Sequence, residues 1–333
     1  MRRLATFIAL LLAAAVSQAS AAQSAQEFYK GKTLTYIVAT SPGGGYDTYG
    51  RLVARYMNKY LPGARIIVRN LPGAGHLIGA NTLYAARPDG LTIGTFNTGL
   101  IYLQLLHDPG VRFDLARMSW IGKAASDSRV LVLSKGSGVK SLQQLFESAR
   151  PPIKLFAAGV GSAAYIDTRL AIYALHLNVQ LIPGYNGSEG TLSMLRGETQ
   201  GTIGSQSSYA QFVAAGNGFY AMQAGGANNS KIPRAEQFAK DDDARRLLSM
   251  IAAEADVARL TAAPPGIPAD RLQLLRTVFM QALADPGLLA EARKMDAPIA
   301  PAGGEHVQAV INAALQQPPQ NLRLLARAVG SGK

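Results

Sequence analysis

The residues best suited to chemistry in this chain are glycines flanked by hydrogen-bonding side chains. Ser41-Pro42-Gly43-Gly44-Gly45-Tyr46-Asp47 lies between an apolar run, Tyr36-Ile37-Val38-Ala39, and an amphipathic segment. Three glycines let the main chain come close to a ligand. The helix start beside them offers unpaired N–H donors at the positive end of a dipole. That combination suits an anion such as a carboxylate. Asp47 stands at the helix start, where its plainer role is an N-cap; like charge excludes a direct salt bridge from it to an anion. A second turn, Ala158-Gly159-Val160-Gly161-Ser162-Ala163-Ala164, again separates an apolar run from a helical segment. Its Gly-x-Gly-x-x-Ala spacing matches a weak nucleotide fingerprint. The next strand, Gln180-Leu181-Ile182-Pro183, lacks the acidic residue that fingerprint needs, and Glu189 comes too late. Asn97 and Thr98 follow a third apolar run, and Ser205 and Gln206 end another. Strand ends of open α/β sheets are where ligands bind, although an ordinary polar loop explains Asn97 and Thr98 equally well.

Reactive constellations are missing. The four histidines, His76, His107, His176 and His306, have no metal-ligand spacing. His76 follows a turn and reads as a solvent-facing residue of a helix's first turn, where the dipole disfavours its protonation. No Gly-x-Ser-x-Gly elbow, Walker motif, paired-His motif or calcium loop occurs, and the absence of cysteine excludes thiolate chemistry and disulfides. The expectation is therefore binding, with no catalytic residue, metal or cofactor.

Strand-like and helix-like segments alternate along the chain, which implies parallel sheets flanked by helices. Asp47–Tyr60 carries Leu52, Val53, Tyr56, Met57 and Tyr60 on one stripe, with Arg51, Arg55 and Lys59 facing away. Ile66–Val68 and Leu91–Phe96 read as strands, with a helix from about His76 to Ala86 between them. Trp120–Ala124 and Val130–Leu133 flank the polar segment Ala125-Ser126-Asp127-Ser128, read as a first crossing between domains. Ser141 and Gln144 form a capping box for a helix ending near Ser148. Strands at Ile153–Ala158, Gln180–Ile182, Gly201–Gly204 and Tyr220–Ala224 then alternate with helices at Ala163–Leu177, Thr191–Arg196 and Gln206–Ala215. After an irregular stretch over Asn228–Asp243 and a helix over Ala244–Glu254, Val257–Leu260 reads as a strand leading back. Helices from Pro268 to Leu283, near Glu305–Leu315 and over Asn321–Val329 close the chain. The expected division is residues 22–125 with 257–333 in lobe 1 and 126–256 in lobe 2. Two crossings flanking a cleft are the layout of a hinged binding protein.

Arg2 and Arg3 precede the apolar run Leu4–Val16, and Ser17-Gln18-Ala19-Ser20-Ala21 supplies small residues. This reads as a signal peptide over residues 1–21, cleaved after Ala21 or next Ala22, and the run is too short to span a bilayer. The net charge of +12 suits attraction of anionic solutes, although an inert basic surface fits as well. Basic residues are dispersed; Arg245-Arg246 follows three aspartates, so nucleic acid is not an expected partner.

The ordered set Ser41–Asp47, Asn70-Leu71-Pro72-Gly73-Ala74-Gly75 and Arg87-Pro88-Asp89-Gly90-Leu91-Thr92-Ile93 resembles the extracytoplasmic solute receptors of tripartite tricarboxylate transporters, the Bug receptors. The resemblance covers nearly all of the chain after residue 25 and is specific over residues 35–97. It implies a two-lobed periplasmic binding protein fold of type II, each lobe a mostly parallel α/β sheet with two crossovers at a hinge. It implies a periplasmic receptor that captures a small organic acid or amino acid between the lobes, without reaction, and delivers it to the membrane subunits of a transporter; a monomer is expected. A sensor feeding a signalling partner is the alternative, and an α/β enzyme a more distant one. In the family, Pro-Gly-Gly-x-x-Asp lines the cleft and holds a ligand carboxylate through backbone and waters. Gly43, Gly44, Gly45 and Asp47 match it. The Gly-x-Gly-Ser turn is the second lobe's clamp, matched by Gly159, Gly161, Ser162 and Ala163. The family often has His shortly after that Ser; Tyr165 lies there instead. His76 replaces a usual Gly. Tyr185 belongs to a Tyr-x-Gly loop, where it either stacks on the ligand or fills the lobe. Glu189 is an ordinary first-turn acid, or, if it faces the cleft, a charge favouring a neutral or ammonium-bearing ligand tail.

Overall fold

The computed structural model describes residues 24–147, 149–226 and 231–330. The expected signal peptide with its cleavage site, Ser148 and Asn228 lie outside the described residues. In chain order the elements are α1 (Ala25–Tyr29), β1 (Thr33–Val38), α2 (Gly45–Tyr60), β2 (Arg65–Asn70), α3 (Leu77–Tyr84), β3 (Thr92–Thr95), α4 (Gly99–Leu105) and β4 (Ser119–Lys123). There follow β5 (Arg129–Ser134), β6 (Ile153–Ala157), α5 (Ala163–Leu175), β7 (Val179–Pro183), α6 (Glu189–Leu195), β8 (Gly201–Ser205), α7 (Gln206–Ala214), β9 (Gly218–Ala224) and α8 (Asp242–Ala253). The chain closes with β10 (Leu260–Ala263), α9 (Ala269–Ala284), α10 (Pro286–Lys294), β11 (Ala302–Gly303), α11 (Gly304–Leu315) and α12 (Pro319–Gly330).

These strands form two sheets. The first has the order β11-β4-β10-β3-β1-β2 and the second β7-β6-β8-β5-β9. β1 runs parallel to β2 and β3, and β6 parallel to β7 and β8. β10 lies antiparallel between β3 and β4, and β5 antiparallel between β8 and β9. Each is the first strand after a crossing, and each runs against its neighbours. The apolar stripe of α2 buries Leu52, Val53 and Met57 against Tyr36, Phe279 and Leu283, while Arg51, Arg55 and Lys59 stay exposed. On the other face of that sheet α11 packs on β4. α12, assigned to the first lobe from the sequence, packs on α5 and α8 beside the second sheet and buries Leu324, Leu325 and Ala328.

The crossings run side by side. Ala124 N donates to Arg259 O at 3.1 Å and Asp127 N to Ala255 O at 2.9 Å. The strand expected at Val257–Leu260 starts only at Leu260, because Arg259 has φ +59°, a left-handed conformation that interrupts extended backbone. The expected capping box is replaced by a 3-10 turn over Leu142–Phe146. There Gln144 Oε1 accepts from Lys140 N at 2.8 Å and the Ser141 side chain caps nothing. Helices α1, α4 and α10 were not anticipated. α10 starts on Asp285, whose carboxylate accepts from Gly287 N at 2.7 Å, with Pro286 as the first helical residue. No described helix is long and apolar enough to cross a membrane.

Candidate functional site

The two glycine turns face each other across the cleft. Gly43, with φ +83°, directs its N–H to Asp47 Oδ2 at 3.0 Å. A side chain would be strained in that conformation. The N-cap of α2 is Gly44, and Asp47 is three residues further in. Its carboxylate reaches back to Gly43 N, and also accepts from Arg51 Nε at 2.9 Å and Asn70 Nδ2 at 2.9 Å. Burial alone would raise its pKa, but these bonds outweigh burial and lower it. Asp47 thus holds the turn from behind.

On the other lobe Ser162 is the N-cap of α5, its Oγ accepting from Tyr165 N at 3.3 Å. The neighbouring Ala163 N–H, expected from the family resemblance as a ligand donor, donates instead to Asn97 Oδ1 at 3.1 Å. Asn97 Oδ1 also accepts from Gly99 N at 2.8 Å, so one amide oxygen joins both lobes. Contact is close elsewhere too: a Cβ on Gly44 would lie 3.3 Å from Gly187 Cα, and one on Gly75 would collide with Val160 O.

Between these turns lies a cavity of about 430 Å³, within the range of small-metabolite sites. Of the residues singled out from the sequence, Gly43, Gly44, Gly45, Asn97, Ser162, Ala163, Tyr185 and Ser205 line it. Asp47, Thr98, Gly159, Gly161 and Gln206 do not. Thr98 Oγ1 is turned to Glu254 Oε2 at 2.6 Å. Gly159 abuts Gly75, Gly161 abuts Leu103, and Gln206 borders a separate hollow with Ser126 and Asp127. Tyr185 presents its ring edge to Phe156 and directs its hydroxyl to Glu198 at 3.4 Å. Glu189 is exposed, accepts from Asn186 N at 3.0 Å and is off the cavity wall.

Three wall residues escaped sequence reasoning. His76, expected at the solvent surface, is only 8% exposed and lines the cavity with φ +81°. Burial lowers its pKa to about 4, so the ring is neutral at physiological pH. Arg129, the first residue of β5, is buried; its Nε donates to Asp167 Oδ2 at 2.7 Å and its Nη1 to Ser205 Oγ at 3.1 Å. Glu254 Oε2 lies 3.7 Å from Arg129 Nε. Burial first, and then the nearby Asp167, push the Glu254 carboxyl up to about 8. Arg259 stands at the second crossing. Its Nη2 donates to Asp127 Oδ2 at 3.2 Å, and its guanidinium carbon lies 4.6 Å and 4.7 Å from the ring centroids of Tyr46 and Tyr49. A Cβ on Gly45 would approach Arg259 Nη2 to 2.8 Å, so the glycine makes room for the guanidinium. For the two arginines the one available signal was a basic residue at or just ahead of the start of an apolar strand.

Five buried polar atoms without a hydrogen-bond partner belong to residues of this one wall: Thr40 Oγ1, His76 Nδ1, Asn97 Nδ2, Arg129 Nη2 and Arg259 Nε. Arg129 Nη2 touches Asp167 as an ion pair but lacks hydrogen-bond geometry. Buried polar groups are normally satisfied. Asn97 Nδ2 and the two guanidinium nitrogens can only donate. The residues that carry these atoms line the cavity, which among the described residues has two arginines and no aspartate or glutamate on its wall.

The sequence model described as "Tripartite tricarboxylate transporter family receptor" matches residues 50–299. A UPF0065 protein from the tcbD-tcbE intergenic region of Pseudomonas sp. strain P51 is 29% identical over 208 residues, 61% of each chain. The chain thus spans about three fifths of that curated relative's length. Among solved structures, the periplasmic binding protein BugD superposes with a TM-score of 0.75 at 20% identity, over 90% of this chain and 98% of that one. MatC from Rhodopseudomonas palustris, with bound malate, gives 0.72 at 18% identity, over 88% and 99%. These likenesses show the two-lobed periplasmic binding protein fold. With the family match covering both crossings and most of both sheets, the chain belongs to the tripartite tricarboxylate transporter receptor family.

Proposed function

We propose that this protein is a periplasmic receptor that captures a small carboxylate-bearing metabolite between its lobes and delivers it to the membrane subunits of a tripartite transporter. The observation that carries the reading is one interlobe cavity whose lining residues carry four buried polar atoms with no partner in the protein, two of them, Asn97 Nδ2 and Arg259 Nε, obligate donors. Each bond from such a donor to a charged group contributes about 1.5–3 kcal/mol. Closing the lobes excludes bulk water and strengthens those bonds. Malate occupies a structural neighbour, which supports a carboxylate guest here. The family is one of receptors, and the reading involves no reaction.

A thermal-shift screen tests it. Organic acids should raise the melting temperature, and their amides or alcohols should not. At about 100 times its dissociation constant a ligand stabilises by roughly 2.7 kcal/mol. Aliphatic and aromatic acids that all leave the melting temperature unchanged would overturn the reading.

A further inference from the structure

We propose that the cleft selects carboxylic acids that carry no ammonium group. The proposal rests on the receptor reading above and names the ligand class of the same site.

Among the described residues the cavity wall contains no aspartate or glutamate, but it contains two arginines. An ammonium is a strongly hydrated point charge, and on losing its water it needs acceptors and a counter-charge. Of the four atoms on wall residues that have no partner, none is an obligate acceptor. Thr40 Oγ1 and His76 Nδ1 can take either role, and Asn97 Nδ2 and Arg259 Nε only donate.

The acids nearest the wall each bond a group behind it, with Asp167 Oδ1 and Glu254 Oε1 left buried, off the cavity wall, without a hydrogen bond. Asp127 accepts from Arg259 at 3.2 Å and Asp167 from Arg129 at 2.7 Å, while Glu254 accepts from Thr98 at 2.6 Å. Asp127 and Asp167 balance much of the arginines' charge, so selection rests on directed N–H groups more than on net field. Glu189, the residue that could have favoured an ammonium, is off the wall. Main-chain carbonyls can accept from an ammonium, but they supply only dipoles beside two guanidiniums.

Calorimetry on the purified, dialysed protein with matched pairs tests this: succinate against aspartate, glutarate against glutamate, adipate against 2-aminoadipate, and 3-phenylpropionate against phenylalanine. Wherever a pair shows binding, the member without the amine should bind about tenfold or more tightly, a difference of about 1.4 kcal/mol. An amino acid that binds as tightly as its partner, or more tightly, overturns the selection while leaving the carboxylate receptor intact. Failure of every acid in the panel to bind sinks the receptor reading, and this inference with it. Gln211, exposed and on the wall, permits a converse test. Gln211→Glu adds a carboxylate with little change of shape and should narrow the ratio; an unchanged ratio overturns the electrostatic basis.

Discussion

Substituting His76 turns its burial into a measurable pH dependence. Asparagine is the suitable replacement, because it tolerates the left-handed φ of +81° and does not titrate. In the folded protein burial lowers the His76 pKa from 6.5 to about 4. Above pH 6.5 the ring is neutral in both states and contributes no pH dependence. As pH falls from there towards 4, the unfolded chain takes up a proton that the folded protein refuses, so stability is lost. A shift of this size corresponds to about 3.4 kcal/mol in full, and about 2.5 kcal/mol at pH 4.5. Glu254 works with the opposite sign, since its folded pKa is raised to about 8, but it is present in both proteins and cancels in the comparison. Urea unfolding of wild type and His76→Asn at pH 7.5, 6.5, 5.5 and 4.5, followed by fluorescence and circular dichroism, reads the difference. Whatever constant offset the substitution brings, wild type should lose about 2.5 kcal/mol more than the variant on going from pH 7.5 to 4.5. A difference that stays flat across the range refutes the argument and means the ring is solvated.

Three further outcomes follow from the same geometry. Gly44→Val must push against Gly187, 3.3 Å away, so small-angle scattering should show a larger radius of gyration than wild type; identical profiles would contradict the interlobe contact. Ser162→Ala removes the acceptor for Tyr165 N, and denaturation should show a loss of about 1 kcal/mol; an unmoved midpoint would mean the cap contributes nothing. Asp167→Ala strips Arg129 of its close partner, at a cost of about 3–5 kcal/mol, and a variant within about 1 kcal/mol of wild type would show that the pair is not tightly engaged.

The alternation of apolar runs and helical stripes made the α/β character legible, because β1, β3 and β6 are short, mostly buried runs and α2 carries one apolar stripe. The glycine turns were legible because they combine a strand end, a helix start and a close approach. Arg129 and Arg259 were not. Each is one basic residue before an apolar strand, and sequence does not say that β5 and β10 start on the same side of one cavity. Asp167 and Glu254, whose acids hold Arg129, are 38 residues and more from it in sequence. His76 was misjudged because the surface of one helix start is covered by the opposite lobe. α10 was overlooked although Asp285-Pro286 is a cap followed by a permitted proline.

The ion pair between Asp127 and Arg259 joins residues of different crossings. Those crossings link the two sheets, and the pair pins one crossing to the other. Arg259 also lines the cavity, and its buried Nε has no bond within the protein. If the lobes rotate about the crossings, a molecule bound against Arg259 sits at the pivot itself, where a slight rotation becomes a wide sweep at the rims.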